Sequence, residues 1–459
     1  MANYSRHQDR ITGKVIVYAQ LKNKSPLLIG RGTGEAYDIE VAVLPGGNPY
    51  IPATSMMGCL KNQLASLSTR HGEYFWGSEV RKNTNASQAM KTFQSHIQLE
   101  DLVPETDFSD FTSLRDGVRI DPKKGIAEEG KKYEYQFVEP NVKFPFRMEI
   151  TIREGVSRQD AEEVIGHIYT LLHHDQFRIG AFTNTGFGKL ECSDFKAWYF
   201  DFPKDAEKWF SYLKTGMPVS APVTLEKQEE AGPKPAFSIE ATFRLKSSLI
   251  IGSYGIHGNE PDKSQLKSRD RFVLPGKSIR GAIRHRALKI MKTLGEPDAE
   301  DKINDLFGMV DEENEGIKKK GRLRIEESEL ENVDPMIQNR IRIDRFTGGV
   351  IRGALFNSRP VWTTGEDSVT LSFSILHSAS PEEKKLLLLV LKDLWLEDLA
   401  IGGEKNVGRG VLIGQKAIIR NEGQMLGKLK RKKNTKNLEF VDCSPDDINA
   451  IINPQPAEE

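Results

Sequence analysis

Gly276, Lys277 and Ser278 follow an apolar stretch in VLPGKSIRGAIRHRA (273–287), and these residue types together can bind phosphate. In a nucleotide-binding P-loop, a further glycine lies five residues before the Gly-Lys-Ser/Thr group, and the loop N–H groups surround the phosphates. Arg271 occupies that position here. The pattern therefore does not predict a nucleotide-hydrolysing loop.

A second stretch, YIPATSMMGCLKNQL (50–64), repeats part of this motif without the lysine. Both stretches have proline, serine, glycine and a basic residue at steps of three. Proline and serine favour the start of a helix, and the glycine allows close approach to it. The free helix N–H groups and nearby bases suit a phosphodiester backbone. The alternative is a capped helix with a solvated basic face. The candidate residues for binding such a backbone are Ser55, Gly58, Lys61, Lys277, Ser278, Arg280, Gly281, Arg284 and Arg286.

The two stretches belong to a longer internal repeat. PLLIGRGTG (26–34) resembles SLIIGSYGI (248–256), GVRIDPKKG (117–125) resembles RIRIDRFTGG (340–349), and RIGAFTNTGFGKLEC (178–192) resembles AIGGEKNVGRGVLIG (400–414). The offset stays at 222 or 223 residues throughout, as for Gly30 with Gly252 and Asp121 with Asp344. Such constant register indicates two copies of one domain.

The repeat sets the expected domain organisation. We expect a first domain over 10–205, a linker over 206–235 rich in Pro, Glu and Lys, and a second domain over 236–420. The tail, 421–459, contains the basic run KLKRKKNTK and is expected to be mobile. A mobile basic tail adds non-specific affinity for RNA.

Each copy has the same predicted order of elements. An alternating strand leads to a glycine-containing loop and then to the Pro-x-x-Ser helix, and more strands follow. A second helix begins at a serine followed by acidic residues, in SRQDAEEVIGHIYTLLHH and SPEEKKLLLLVLKDLWL. A glycine-rich hairpin closes the copy. This order predicts an α+β fold, a ferredoxin-like sheet with long insertions, in each copy.

The composition limits the class of protein. Of the 459 residues, Lys+Arg and Asp+Glu number 65 each, so any site for a polyanion must come from local clustering. The three cysteines are far apart and form no CxxC pair, which favours a reducing cytoplasm over a zinc site. No signal peptide or run of about 18 apolar residues occurs, so no membrane association is expected.

The closing hairpins, GAFTNTGFGK and GGEKNVGRGV, contain repeated glycines, among them Gly186, Gly188, Gly408 and Gly410. Such glycines most often make tight turns. They can also bring backbone N–H groups to phosphates, so these four glycines, and Arg409 between two of them, are further candidates for binding a phosphodiester backbone.

These motifs together resemble the RAMP superfamily of CRISPR-associated proteins. The signature is IxxG, then LPGKSIRGAIRHRAL, RIDRFTGGVIRGALF and GGEKNVGRG. The second copy matches better, since Ala53 replaces a glycine and RIDPKKGIAEEGKKY is degenerate in the first. The resemblance covers both domains but not the linker or tail. It is strongest to backbone subunits of type III effector complexes, and two such domains in one chain resemble the fused subunits of type III-D variants.

The resemblance implies a ferredoxin-like (RRM-type) core with a protruding thumb, here near 117–140 and 340–358. Such subunits stack along a guide crRNA paired with a complementary target RNA, beside other RAMP subunits and a large subunit. Arg345 and Phe346 of RIDRFTGG are candidates for contacting RNA by stacking or wedging, although a core position is commoner for phenylalanine.

The family also implies a site for chemistry. In several such subunits, an acidic residue about a dozen positions before the Pro-x-x-Ser helix supports metal-dependent cleavage of the target. Asp38 and Asp262 match that position, and Glu260 and Asp270 lie near enough to compete. A carboxylate holding hydrated Mg²⁺ or Mn²⁺ can assist 2′-OH attack, helped by Lys263, Lys267, Arg269 or Arg271. A lone loop aspartate is, however, more often solvated or caps a turn.

Three functions follow. The first is a guide-binding backbone subunit that cleaves target RNA as an endoribonuclease at Asp38, Asp262 or both. The second is a structural RNA-binding subunit without catalysis. The third is an endoribonuclease that processes the guide precursor, for which Tyr254 and His257 of the second copy are the candidate residues.

Overall fold

The structure is a computed structural model that describes residues 10–32, 37–64, 72–77, 94–106, 111–121, 124–223, 225, 234–254, 260–310, 318–432, 435 and 438–442. By their internal contacts, the residues divide into two units. The first unit comprises Met1–Leu114, Glu134–Ala181 and Gly188–Gly232. The second comprises Arg115–Tyr133, Phe182–Phe187 and Pro233–Glu459.

The first copy of the repeat alternates strands and helices as its sequence predicts. Its strands are β1 (Ile11–Asn23), β2 (Ile97–Leu99), β3 (Thr112–Ile120), β4 (Ala127–Val138), β5 (Lys143–Arg153) and β6 (Leu190–Asp201). Its helices are α1 (Ala53–Leu64), α2 (Gly72–Trp76), α3 (Arg158–Leu172) and α4 (Ala206–Thr215). The central sheet has the order β2–β5–β1–β6, and all its pairs are antiparallel.

One face of this sheet forms the core of the first unit. Val15, Val17 and Leu21 of β1 are buried on this face, whereas Ile16 lies between them on the other face and packs with Trp198 and Phe200. Met56, Leu60 and Leu64 of α1 join the same cluster, as do Ile165 and Ile168 of α3. Buried residues recur at every second position in the strand and at about every fourth position in the helices. The apolar face of the sheet therefore packs against the apolar faces of α1 and α3.

The second copy has more and shorter strands around the same plan. They are β7 (Phe237–Leu245), β8 (Ser248–Leu249), β9 (Gly252–Tyr254), β10 (Lys263–Gln265), β11 (Lys267–Ser268), β12 (Arg271–Leu274), β13 (Gly308–Val310), β14 (Lys318–Lys320), β15 (Leu323–Ile325), β16 (Ser328–Glu329), β17 (Val333–Pro335), β18 (Gln338–Ile343), β19 (Val350–Arg359), β20 (Val361–Thr363), β21 (Val369–Ile375), β22 (Leu412–Asn421), β23 (Gln424–Arg431) and β24 (Leu438–Val441). Its helices are α5 (Gly276–Thr293), α6 (Ala299–Phe307) and α7 (Pro381–Trp395).

The main sheet of the second unit has the order β15–β21–β7–β22–β23–β24. Its apolar face packs against α5 and α7 through residues such as Ile279, Ile283 and Leu387. β7 pairs with β21 and β22 as β1 pairs with β5 and β6, so the repeat extends to the central strand pairing.

The second helix of each copy begins at the predicted serine. Ser157 of α3 and Ser380 of α7 each form a capping box, with Asp160 and Glu383 as the reciprocal partners. Both the serine N-caps and the acidic first turns predicted from sequence are therefore confirmed. The N-terminus of α5 differs, since its N-cap is Pro275 and no side chain caps it.

The boundaries of the predicted linker and tail need correction. Residues 206–215 are α4, whose Trp209 and Tyr212 pack on Phe200 because the helix is amphipathic. Residues 424–431 and 438–441 are strands that extend the sheet from the edge of β22, with Leu429 buried. The basic run is thus partly a strand, since its lysines alternate with residues that face the sheet.

Hairpins occupy both segments where thumbs were expected. β3 pairs with β4 in the first copy, and β18 pairs with β19 in the second. The second hairpin belongs to a sheet of order β18–β19–β10–β9, so its base is joined to the strand that follows Asp262.

Candidate nucleic-acid interface

Asp262 lies immediately before β10, where two neighbouring strands fix it. β10 pairs antiparallel with β9, and it pairs in parallel with β19 through Lys263–Ser358 and Ser264–Arg359. The Asp262 amide N donates to Asn357 Oδ1 at 2.7 Å, and the Asn357 amide N donates to Asp262 Oδ2 at 2.9 Å. The carboxylate is therefore held against the second strand of the hairpin.

Asp38 has the equivalent position in the first copy. The Glu134 amide N donates to Asp38 Oδ2 at 2.7 Å, and Ile39 forms a parallel bridge with Tyr135. Glu134 and Asn357 are 223 residues apart, which is the offset of the sequence repeat. Both aspartates thus accept a backbone hydrogen bond from the same position of the second hairpin strand.

The two carboxylates leave one oxygen each for another partner. Asp38 and Asp262 are exposed, and within the described ranges Oδ1 of each has no hydrogen bond. No group of three or more His, Cys, Asp or Glu residues within those ranges can hold a metal ion. One carboxylate oxygen suits a largely hydrated Mg²⁺ that also binds a phosphate, but not a cage built from protein ligands. The donor set therefore fits the metal only in that open form.

Most basic neighbours of Asp262 named from sequence have partners in the protein. Lys263 Nζ lies 3.9 Å from Glu404, and Arg271 Nη1 lies 2.5 Å from Glu329. The Lys267 ammonium lies 4.7 Å from the centroid of the Phe272 ring. Since adjacent strand residues point to opposite faces, Lys263 also faces away from Asp262. The expectation that Lys263 helps at Asp262 is corrected accordingly.

Glu404 lies at the centre of a charged cluster on the other face of this sheet. Its Oε2 is 2.9 Å from Arg340 Nη1 and 2.9 Å from Arg409 Nε, and Lys263 is the third cation. Arg409, predicted to contact RNA, is only 2% exposed and also donates to Ser248. Its guanidinium therefore stabilises the turn instead of reaching a surface, because the acid draws it inward.

The first copy replaces this entire cluster with uncharged residues. At the positions of Lys263, Arg340, Glu404 and Arg409, it has Ile39, Gly117, Phe182 and Phe187. Phe182 and Glu404 both adopt a left-handed conformation, with φ of 58° and 56°. The two copies thus share the backbone of this turn but use aromatic packing in one and ion pairs in the other.

The arginines of α5 mostly bind protein groups instead of facing outward. Arg280 donates to the carbonyls of Leu323 and Phe307, and Arg284 donates to Gly308 O at 2.9 Å and Asn304 Oδ1 at 2.6 Å. Arg286 pairs with Asp393 at 2.5 Å. Neighbouring carbonyls and acids thus engage these guanidinium groups and anchor the helix, and the contact of these arginines with RNA stays a prediction. In the first copy, Lys61 Nζ lies 3.5 Å from Gly77 O.

Lys277 is partly buried within the second unit. Its ammonium lies 3.1 Å from the Tyr133 hydroxyl and 3.2 Å from the centroid of the Phe182 ring. Burial, followed by repulsion from Arg115, lowers the Lys277 pKa to about 6. Although aromatic faces attract a cation, desolvation outweighs that attraction here. Lys277 is thus half-buried among aromatic rings and is not an exposed phosphate ligand.

The motif glycines of α1 and α5 have free space beside them, as the sequence motif predicted. A Cβ at Gly58 of α1 or at Gly281 of α5 would meet no atom within 4 Å. The serines one turn earlier, Ser55 and Ser278, are half-buried, and their N–H groups donate to the carbonyls of Pro52 and Pro275 at 3.0 Å. Open glycines on two equivalent helices leave room for a polymer backbone to approach.

Three of the four hairpin glycines are required by the fold itself. Gly188 and Gly410 have φ of 80° and 75°, and a Cβ would overlap the carbonyl oxygens of Ile179 and Ile401. Gly186 packs in the same way on the Glu327 backbone within the second unit. Gly408 has φ of 81° and open space around it, but its N–H donates to Lys405 O and its carbonyl accepts from the Ser247 hydroxyl, both at 3.1 Å.

The tip of the second hairpin presents Phe346, the most exposed large apolar side chain among the described residues. Phe346 is 90% exposed, and Arg345 beside it is also exposed. Asp344 accepts hydrogen bonds from the N–H groups of Phe346 and Thr347, which hold the Asp344 pKa below its usual value. The turn is thereby rigid while its aromatic ring is free. Other exposed apolar residues of this hairpin are Ile341, Ile343, Val350 and Leu355.

Sequence reasoning missed Asn357 and Glu404, and one candidate lies outside the described residues. Asn357 carries no motif of its own, although its position 223 residues after Glu134 follows from the repeat. Glu404 lies in the recognised glycine-rich element, but nothing in that element indicates its cationic partners. His257, the candidate for guide processing, falls in 255–259, which the structure does not describe.

The family model of the RAMP superfamily matches the chain twice, over residues 20–191 and 242–413. The chain therefore belongs to the RAMP superfamily, with two tandem domains. This membership places it among CRISPR-associated subunits that bind RNA in multi-subunit complexes. No curated protein matches the chain. Among the described helices, none has the length and apolar character needed to cross a bilayer.

Proposed function

We propose that the chain is a guide crRNA-binding backbone subunit of a type III CRISPR effector complex, with two fused ferredoxin-like (RRM-type) domains. In this role it works in the cytoplasm beside other RAMP subunits and a large subunit, and it holds the duplex of guide and complementary target RNA. The hairpin tips and the open glycines of α1 and α5 supply the surfaces that contact RNA.

The observation that carries this proposal is the repeated contact between a loop aspartate and a hairpin strand. Asp38 and Asp262 each accept a hydrogen bond from the second hairpin strand, through Glu134 and Asn357. A solvated loop residue has no reason to recur with the same partner atom in both copies. The recurrence supports a shared task for the two carboxylates beside the hairpins that protrude toward RNA.

We further propose that these carboxylates support cleavage of the target RNA. The 2′-oxygen forms a bond to phosphorus and the P–O5′ bond breaks, leaving a 2′,3′-cyclic phosphate and a 5′-hydroxyl. The proton of the 2′-hydroxyl leaves to water, and the 5′-oxygen takes up a proton from water. Asp38 or Asp262 would hold a Mg²⁺ or Mn²⁺ ion, which would supply charge neutralisation at the phosphate. The chain itself orients the carboxylate, because Oδ2 is fixed to the backbone.

The second candidate function is a structural RNA-binding subunit in which the aspartates only anchor the hairpins. The same backbone hydrogen bonds favour it, since they give each carboxylate a structural task. Processing of the guide precursor is a weaker third candidate, because its candidate residues Tyr254 and His257 occur in the second copy, whereas the first copy has no histidine or tyrosine at Arg31-Gly32-Thr33.

RNA binding is tested on the full chain with labelled single-stranded RNA at low salt, and by extracting nucleic acid from the chain purified with its partner subunits. We expect binding that weakens steeply with salt, and a guide RNA in the extract. A chain that neither binds single-stranded RNA nor co-purifies with a guide contradicts the backbone role. If the complex contains a guide RNA but does not cleave the target RNA when a metal ion is added, the structural alternative is supported.

A further inference from the structure

The pairing of β10 with β19 defines which side chains share a face with Asp262. Ser264 pairs with Arg359 in parallel register, and Lys263 pairs with Ser358. Because side chains alternate along a strand, Asp262, Ser264, Asn357 and Arg359 lie on one face. Ser358 on the other face is 1% exposed, whereas Arg359 is exposed, which agrees with this alternation.

Arg359 differs in its contacts from the other cations near Asp262. Lys263 and Arg340 are engaged by Glu404, and Arg271 is engaged by Glu329. Within the part of the chain that the structure describes, Arg359 has neither an ion pair nor a side-chain hydrogen bond. Its Cα is two residues along β19 from Asn357, roughly 7 Å. An arginine side chain spans such a distance, so a phosphate beside Asp262 is within its reach.

The first copy has no equivalent cation at this position. The residue 223 positions earlier is Gln136, whose Oε1 accepts a hydrogen bond from the Val41 amide at 3.3 Å. Arg31, the basic residue nearest in sequence to Asp38, is paired with Glu40. The two candidate sites therefore share the aspartate and its backbone contact, but they differ in local charge.

We propose that Arg359 is a second functional residue of the Asp262 site, where its guanidinium binds the phosphate under attack. This inference rests on the proposed cleavage function. A planar guanidinium can donate two hydrogen bonds to phosphate oxygens, and it neutralises the charge that grows in the phosphorane-like transition state. Consequently the two sites of one chain work at unequal rates, and the site of the second copy is the faster.

The test uses the assembled complex and a target RNA labelled so that each cut is measured separately in single turnover. Arg359→Gln, which copies Gln136, is expected to slow the cut at the Asp262 position about 10- to 100-fold, with the Asp38 cut unchanged. Arg359→Lys is expected to retain part of the rate, because the charge stays but the two-point contact is lost. Gln136→Arg is expected to speed the Asp38 cut.

Controls separate this inference from folding and from the proposed function. Arg420→Ala removes an arginine of β22, in the main sheet of the second unit, and is expected to leave both cuts within threefold. Target binding in EDTA, measured for each variant, is expected to change less than threefold. If Asp262→Asn abolishes the cut while Arg359→Gln leaves its rate unchanged, the role of Arg359 is contradicted and cleavage at Asp262 stands. If Asp262→Asn also leaves the cut unchanged, the proposed cleavage function itself is contradicted.

Discussion

Asp262 and Asn357 exchange two hydrogen bonds, each backbone amide donating to the side-chain oxygen of the other residue at 2.7 Å and 2.9 Å. The candidate catalytic carboxylate thus also connects the loop before β10 to the β18–β19 hairpin. Loss of the Asp262 side chain affects two properties, the charge at the site and the anchoring of the hairpin.

Substitutions at this pair can separate the two effects. Asp262→Asn keeps an oxygen that accepts the Asn357 N–H, so we expect an anchored hairpin without metal-dependent cleavage. Asn357→Ala removes one of the two hydrogen bonds, and Asp262→Ala removes the other. Both are expected to raise amide exchange over 338–359, measured by mass spectrometry. Equal exchange in Asp262→Asn and Asp262→Ala would show that the carboxylate does not anchor the hairpin.

The Glu404 cluster predicts a loss of stability from a single uncharged substitution. Glu404→Gln leaves Arg340, Arg409 and Lys263 facing one another without a counter-charge, which we expect to cost about 2–3 kcal/mol of unfolding free energy. Glu366→Gln is the control, since Glu366 is 81% exposed on its side chain and 4.0 Å from Arg244. It is expected to cost less than about 0.5 kcal/mol. Urea unfolding of both variants measures the difference, and equal midpoints would contradict a stabilising cluster.

The environment of Lys277 predicts a pH dependence of stability. Its pKa is about 6 in the folded chain and near the ordinary value of 10.5 when unfolded. Between those values the unfolded chain binds more protons, so this group makes stability rise with pH, by up to about 1.4 kcal/mol per unit. Lys277→Met is expected to remove that slope between pH 6.5 and 8.5 in urea unfolding, while exposed Lys289→Met keeps it. The same slope in wild type and Lys277→Met would contradict the burial of this amine.

Two glycines of α5 predict opposite effects of alanine. Gly281 lies in mid-helix with open space, so Gly281→Ala is expected to stabilise the fold by about 0.5–1 kcal/mol. At Gly276, a Cβ would overlap the Thr185 and Ile325 carbonyl oxygens, so Gly276→Ala is expected to destabilise the fold.

The same Gly281→Ala variant tests whether RNA approaches α5 at this glycine. If it does, the variant is expected to bind guide RNA more weakly in a filter-binding assay. Unchanged affinity would remove Gly281 from the RNA surface.

The repeat made much of the fold predictable from sequence. Conserved spacing between Pro52 and Pro275, and between Gly188 and Gly410, located the same helix and the same turn in both copies. The capping serines Ser157 and Ser380 were predictable because their hydrogen bonds are local. The additional strands over 424–441 were not, because a basic alternating segment becomes a strand only when a neighbouring sheet edge is available.

The site was predictable in position but not in its partners. Asp38 and Asp262 were located by family resemblance, whereas the roles of Arg280, Arg284 and Arg409 depend on carbonyls and acids distant in sequence. A run of basic residues in a helix predicts an open cationic face, because the sequence does not show which distant acceptors pair with those residues. Arg359 went unnoticed for the converse reason, since only the register of β19 against β10 brings it to the face of Asp262.

The most direct measurement is the pattern of target RNA fragments produced by the assembled complex with Asp38→Asn, Asp262→Asn and both together. The two loops are equivalent in the repeat but distinct in position along the chain. We therefore predict that each single variant loses one cut, that the double variant loses both, and that guide binding is unchanged in all three. An unaltered fragment pattern in the double variant would contradict cleavage by these aspartates.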